Sequence, residues 1–141
     1  MSGEPLDTAR AFVTAIAWGE HRRVWDLLAR DGRRTVLRVA AARGMAEGLA
    51  ARLGDGTATT GELDSFLADL VNGLRADLAG TDLDAIGYQD DPVGHDGGRA
   101  WILLTSPMPP ALGGYVPVGT VEMTTEDGMW RVERLSPRPG P

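Results

Sequence analysis

Three aspartates and one of the two histidines of this sequence lie within the seven residues from Asp90 to Asp96. Carboxylates and an imidazole together suit several divalent metal ions, which makes the stretch a candidate metal site. Its spacing does not match the carboxylate ladder and closing Glu of an EF-hand. Asp, Pro and Gly are also the residues that form hairpin connections. We therefore interpret residues 89–98 as the polar tip of a hairpin, and we expect neither a metal at His95 and Asp96 nor a bound cofactor.

His21 and Asp26 are candidates for proton transfer. Their separation of five positions does not place two side chains on one helical face, whereas His21 and Trp25, at i and i+4, are neighbours. If this segment borders a pocket, a neutral His21 is suited to act as a general base near pH 7. The spacing favours the alternative, a surface histidine stacked on Trp25.

Glu122 is the third candidate, because a carboxyl group that points into an apolar interior has a raised pKa and can act as an acid or a base. The segment around it alternates, with Tyr115, Val121 and Met123 on one face and Glu122 on the other. The first face is the more apolar of the two. The pattern therefore predicts that Glu122 points outward, where a cross-strand charge pair explains its presence.

Aromatic residues are the other candidates for binding, since ligand pockets are largely apolar with a few polar groups. The chain has four tryptophans and two tyrosines, and packing in the core or on the sheet is the ordinary role for most of them. The residues that we expect to line a ligand cavity, if there is one, are Trp25, Tyr88, Trp101 and Tyr115.

The composition excludes several classes of protein. There is no cysteine, so disulfides, thiolate metal sites and cysteine nucleophiles are ruled out. The net charge of −6 argues against general nucleic-acid binding, which requires cations to neutralise phosphates. Residues 1–52 hold nine arginines and six acidic residues, and residues 53–141 hold five arginines and fourteen acidic residues. The basic half could therefore face an acidic partner or the acidic half of the chain itself.

Arginine accounts for all fourteen basic residues. A GC-rich genome that avoids lysine codons explains this bias most simply, beside the value of arginine in bidentate contacts with anions. The apolar run over residues 11–19 is too short to cross a bilayer, and the residues before it lack the basic character of a secretory leader. We expect a cytoplasmic protein with no membrane association. The P-loop, dinucleotide-binding, nucleophile-elbow and zinc-protease motifs do not occur in the sequence.

Apolar residues recur at helical spacing at the start of the chain. The pattern predicts a helix over residues 7–18, with Asp7 as its N-cap and Gly19 as its stop. A second helix is predicted over residues 20–30, with its end at Asp31 and Gly32.

Two further helices are predicted. One runs over residues 35–53, but Gly44 and Gly48 each weaken a helix interior by about 1 kcal/mol. Either a neighbouring element packs closely against these glycines or the helix breaks there. The other begins at Thr59, which with Glu62 has the sequence of a capping box.

The periodicity then changes to two, as in strands. The predicted strands cover residues 81–88, 99–106, 113–125 and 129–135, and an Asp-Gly turn joins the last two. The prolines between residues 107 and 114 mark a connection. We expect one domain over residues 1–135, followed by a flexible tail over residues 136–141.

The beginning of the chain resembles the NTF2-like (cystatin-like fold, SnoaL-like) superfamily, in which a helix, a short gap and a W-x-L-L-x-x-D phrase recur. The closing segment, MTTEDGMWRVERL, also resembles the final hairpin of such domains. The residues that carry the likeness at the start are Phe12, Trp18, Gly19, Glu20, Trp25, Leu27, Leu28 and Asp31. The predicted helix over residues 35–53 departs from the pattern, since many members have an early hairpin there.

The resemblance implies an α+β fold: N-terminal helices packed on one face of a curved antiparallel sheet of about four strands, which form a cone with a pocket at its open end. Members include isomerases, dehydratases and cyclases as well as binding and assembly domains, so the fold alone does not decide the function. We expect a homodimer that binds a small hydrophobic molecule or serves as an assembly module. The alternatives are a small cofactor-free enzyme and a protein-interaction partner without a pocket.

Overall fold

Five α-helices precede a four-stranded sheet in the part of the chain that the computed structural model describes, which is residues 5–78, 85–96, 98–107 and 115–137. The sheet is antiparallel, open and curved, with the strand order β1-β2-β3-β4. The helices are α1 (Pro5–Trp18), α2 (His21–Leu27), α3 (Arg30–Ala42), α4 (Glu47–Asp55) and α5 (Thr60–Asp77). The strands are β1 (Gly87–Asp96), β2 (Arg99–Pro107), β3 (Tyr115–Glu126) and β4 (Met129–Pro137). The predicted α+β class is confirmed.

The first helix begins earlier than predicted and ends where predicted. Pro5 is its first residue, and Asp7 lies in its first turn rather than at the N-cap. Proline suits this position because its missing N–H would have no partner there and its φ angle is already helical. Gly19 ends the helix with a φ of +72°, and the Glu20 N–H donates to the Ala15 carbonyl at 2.9 Å. This is the Schellman arrangement that a terminal glycine permits.

Gly32 does not end the second helix, as the sequence predicted, but lies inside α3. Between the two helices, Leu28 forms a parallel bridge to Val132 of β4, and the Ala29 N–H donates to the Val132 carbonyl at 2.7 Å. A Cβ at Gly32 would lie 2.8 Å from the Glu133 carbonyl oxygen. Glycine is therefore required by the close approach of α3 to the backbone of β4.

The single helix predicted over residues 35–53 is wrong, and the break that Gly44 and Gly48 left open occurs. The chain forms α3 and α4, which meet at residues 43–46, and Gly44 has a φ of +109°. Gly48 lies within the first turn of α4. Leu37 of α3 and Leu53 of α4 are both buried, so the two helices form a hairpin with a common apolar seam.

The capping box at the start of α5 is confirmed. The Glu62 N–H donates to Thr59 Oγ1 at 3.1 Å, and the Thr59 N–H donates to Glu62 Oε1 at 3.0 Å. Arg52 of α4 also donates to Glu62 Oε2, at 2.6 Å. The start of α5 is therefore tied to the end of α4.

The polar stretch around His95 is the second half of strand β1, not a ten-residue hairpin tip. β1 runs from Gly87 to Asp96, with an irregularity between Asp90 and His95, and only two residues separate it from β2. Of the predicted strand over residues 81–88, residues 87 and 88 lie in β1, residues 85 and 86 do not, and residues 81–84 lie outside the described part. Asp, Gly and Pro disfavour strands, but β1 is an edge strand, where proline is tolerated.

The other three strands lie where the sequence predicts them, within two residues at each described end, and the turn between β3 and β4 is the expected one. Asp127 and Gly128 both have positive φ angles, 53° and 78°, as a two-residue type I′ hairpin requires. A bulge in β4 places Glu133 and Arg134 beside Glu122.

One face of the sheet, called the inner face here, packs against α1 and forms most of the core. Its side chains are at most 4% exposed: Ala100, Ile102, Leu104, Val121, Met123, Trp130 and Val132. The opposite face is called the outer face. Within the described residues, no helix is long and apolar enough to cross a membrane.

Candidate functional site

The space between α1 and the inner face is filled by the chain's own side chains. Phe12, Ile16 and Met123 are each at most 1% exposed. Trp25 is 7% exposed, and its ring meets Phe66 edge to face at 5.6 Å and the Arg33 guanidinium at 4.9 Å. Both contacts come from within the domain, so the ring of Trp25 is part of its packing.

Arg33 stabilises the C-terminal end of α2 in addition to its contact with the Trp25 ring. Its Nε and Nη2 atoms donate to the Trp25 carbonyl oxygen at 3.0 and 2.7 Å, which satisfies the C-terminal end of α2. Burial lowers the pKa of Arg33 from its usual value, and the charge of Asp26 opposes this change. The guanidinium stays charged in spite of its burial.

His21 pairs with a residue that the sequence did not indicate. Its Nε2 atom lies 3.2 Å from Asp64 Oδ1, on α5, and the same carboxylate accepts Arg22 Nε at 2.9 Å and Nη2 at 3.1 Å. The hydrogen bond from Arg22 is the main cause that lowers the pKa of Asp64. Asp26, the partner considered from the sequence, is exposed, and its backbone carbonyl accepts Arg131 Nη1 at 2.6 Å.

The His21–Asp64 pair is open to water. The side chain of His21 is 36% exposed and that of Asp64 is 40% exposed. Solvent screens charges at such positions and weakens their interaction. The arrangement orients an imidazole and links α2 to α5, but it lacks the dry surroundings in which a catalytic base is usually tuned.

Glu122 points away from the core, as predicted, and belongs to a charged cluster on the outer face. Arg99 Nη2 donates to Glu122 Oε1 at 2.6 Å and to Glu133 Oε2 at 2.7 Å. One guanidinium thus bridges two carboxylates from neighbouring strands. The hollow beside this cluster has a volume of about 150 Å³, below the roughly 300 Å³ at which ligand pockets begin. Asp31, Gly32, Thr35 and Arg134 complete its walls.

The remaining aromatic candidates lie in different places. Trp101 is partly exposed on the outer face, with the Arg99 guanidinium 5.8 Å from its ring centre. Tyr88 is half-buried against the core, below the Arg10 guanidinium at 5.3 Å. Burial raises the pKa of Tyr88, and the charge of Arg10 acts in the opposite direction. The side chains of Tyr115, His95 and Asp96 lie outside the described part of the structure.

A larger cleft lies between α3 and α4, with a volume of about 580 Å³ and a wide opening to solvent. Its floor is apolar and made mostly of small residues: Leu37, Ala41, Ala50, Ala51 and Gly54. Arg34 and Arg38 of α3 and Asp55 of α4 line it as well. Sequence reasoning missed this cleft because it treated the two helices as one.

Trp18 is the most exposed large apolar residue of the described chain, at 73%. It is the last residue of α1, where Arg75 of α5 donates to the carbonyl oxygens of Ile16 and Ala17 at 2.9 and 2.8 Å. A single exposed apolar side chain is ordinary on a protein surface.

No protein-family model, curated protein or solved structure matches this chain. The resemblance to the NTF2-like superfamily therefore stays a prediction. Among the described residues, no group of three or more histidine, aspartate or glutamate side chains is placed to hold a metal ion.

Proposed function

We propose that this chain is a non-catalytic assembly domain, two copies of which pair through the outer faces of their sheets. One observation carries the proposal: Trp101 and Leu103, two residues apart on β2, are partly exposed and lie outside the buried core. Their neighbours in between and on either side, such as Ile102 and Leu104, are fully buried on the inner face. The outer face thus presents apolar groups that the described residues cover only in part.

The position of these two residues favours an interface. β2 is an interior strand, so Trp101 and Leu103 lie away from the sheet's edges, with Glu122 and Thr120 as their partners on β3. The Arg99–Glu122–Glu133 cluster lies beside them. An aromatic and apolar centre with charged residues around it is the usual composition of a protein–protein interface.

The interior of the domain gives less support to a carrier of a small ligand or to an enzyme. The side chains between α1 and the inner face pack against one another. The two concavities described above are open to solvent. A carrier of a hydrophobic ligand, or an enzyme that acts on one, needs an enclosed apolar space with a few convergent polar groups. The family resemblance agrees with an assembly domain, because proteins of this kind often form dimers.

Sedimentation velocity at increasing protein concentration tests the proposal. The wild type should reach about 30 kDa, twice the 15.0 kDa of one chain. The Leu103→Glu variant should stay a monomer, because pairing would bury an unpaired charge. Trp18→Glu is the matched control, since it removes an exposed apolar side chain from α1, and it should pair like the wild type.

Two results would contradict the proposal. One is a wild-type monomer at concentrations up to about 200 µM, a range that covers weak homodimers. The other is a dimer that Leu103→Glu leaves intact or that Trp18→Glu abolishes, which would place the interface elsewhere. Thermal unfolding followed by circular dichroism confirms that each variant is folded before it is compared.

A further inference from the structure

We infer that the cleft between α3 and α4 is a docking groove for an acidic amphipathic helix of another protein. The inference concerns a surface other than the outer face of the sheet, and it does not depend on whether the chain forms dimers.

The shape of the cleft suits an inserted apolar side chain. Its floor is formed by Leu37 and by residues no larger than alanine, and the nearest atom to a Cβ built at Gly54 is Leu37 Cδ1, at 3.5 Å. Small residues let a partner approach closely, and about 580 Å³ is ample for the apolar stripe of one helix. A helix in a groove typically inserts residues at i, i+3 or i+4, and i+7.

The charge of the cleft selects an acidic partner. Arg34 and Arg38 are one helical turn apart on α3, and α3 carries four arginines against one acidic residue, Asp31. Among the described residues, Arg34 pairs with the exposed Asp31 alone, at 2.9 Å, and Arg38 forms no ion pair. Two guanidinium groups one turn apart can bind two carboxylates one turn apart on a facing helix.

Asp55 narrows the choice of partner further. Asp55 lines the cleft from the side of α4, opposite the two arginines, and it would repel a uniformly negative partner. The net charge of −6 for the whole protein acts in the same direction. A helix with carboxylates along one side and apolar residues toward the floor satisfies both walls, whereas a nucleic acid or an anionic membrane surface does not.

The experiment is a titration of the ¹⁵N-labelled protein with a defined peptide, followed by the amide signals in NMR spectra. The probe is a helical peptide of about 20 residues, long enough to be helical in water, with glutamates at i and i+4 beside a leucine stripe. Signals of Leu37, Ala41 and Ala50 should shift, and binding should weaken as salt is added. The same peptide with lysine in place of glutamate should not bind.

Three variants locate the contact. Arg38→Gln should weaken binding of the acidic peptide about threefold, which is typical of the loss of one exposed ion pair. Asp55→Asn should strengthen it, because a repulsive charge is removed. Arg43→Gln is the matched control: it removes an arginine from the end of α3 that does not line the cleft, and it should leave the affinity unchanged.

The inference is wrong if the cleft signals do not shift, if the lysine peptide binds equally well, or if Arg38→Gln and Arg43→Gln weaken binding to the same extent. Shifts at the cleft with a short DNA duplex or with anionic lipid vesicles, and none with the acidic peptide, would also overturn it. A monomeric protein that binds the peptide at the cleft would support this inference while it contradicts the sheet-face dimer.

Discussion

Replacement of Gly32 by alanine tests the close contact between α3 and β4. In most helices this substitution stabilises a protein, because glycine is about 1 kcal/mol less favourable than alanine in a helix interior. Here the added Cβ would lie 2.8 Å from the Glu133 carbonyl oxygen and 2.9 Å from that of Val132. Both are backbone atoms and cannot rotate away, so α3 must move.

The expected loss of stability in Gly32→Ala is the sum of three contributions. An extra methyl group in a packed contact costs about 1–3 kcal/mol. A shift of α3 also lengthens the 2.7 Å hydrogen bond from Ala29 to Val132, which is worth about 1 kcal/mol. The better helix propensity of alanine returns about 1 kcal/mol. We therefore expect Gly32→Ala to lower the free energy of unfolding by about 2 kcal/mol, or the melting temperature by about 5 °C.

Equilibrium unfolding in urea, followed by circular dichroism, measures this change. Gly73→Ala is the matched control. Gly73 lies inside α5, and no atom outside its own helix lies within 4 Å of a Cβ built there. It should raise the free energy of unfolding by about 0.5–1 kcal/mol. The two substitutions are chemically the same and should have opposite signs.

A Gly32→Ala protein as stable as the Gly73→Ala protein would refute the reasoning. It would mean that α3 does not approach the backbone of β4 as closely as described, or that the contact yields without cost. In that case α3 would also no longer form one wall of the charged hollow beside Arg99.

Two further predictions concern single side chains. Thr105 is 3% exposed, and its hydroxyl has no hydrogen-bond partner within the described structure. Thr105→Val should therefore raise the free energy of unfolding by about 1 kcal/mol. A variant that is less stable than the wild type in urea would show that the hydroxyl does have a hydrogen-bond partner. Arg22 lowers the pKa of Asp64, so the stability that Asp64 contributes is present above its unfolded pKa and is lost as the pH falls through its folded pKa. The melting temperature of the wild type should fall more between about pH 5 and pH 2 than that of Asp64→Asn, and equal falls would speak against this pairing.

The fold could be predicted from the sequence where local chemistry decides it. The capping box at Thr59, the terminal glycine at Gly19 and the Asp-Gly turn at residues 127–128 are all set by a few neighbouring residues. The direction of Glu122 followed from simple alternation along β3. These features depend on no distant part of the chain.

The errors share one physical cause, which is contact between distant segments. Gly32 has the sequence of a helix end, but the backbone of β4, a hundred positions away, makes it a helical contact residue. His21 pairs with Asp64 across 43 positions, and no spacing rule within one helix could indicate that. β1 contains Asp91 and Pro92, which disfavour a strand, and it pairs with β2 on either side of them, at Asp90 and at His95. The cleft between α3 and α4 was hidden for a related reason, since it exists only because the chain breaks at Gly44.

The two edges of the sheet bear on whether this protein forms fibres. A free edge strand offers unpaired N–H and carbonyl groups to another chain, and such addition can repeat without end. At β4 the connection between α2 and α3 already occupies the Val132 carbonyl. At β1 a proline and an irregular register interrupt the pattern that an added strand would follow. These two features disfavour the addition of another chain's strand at β1 and at β4.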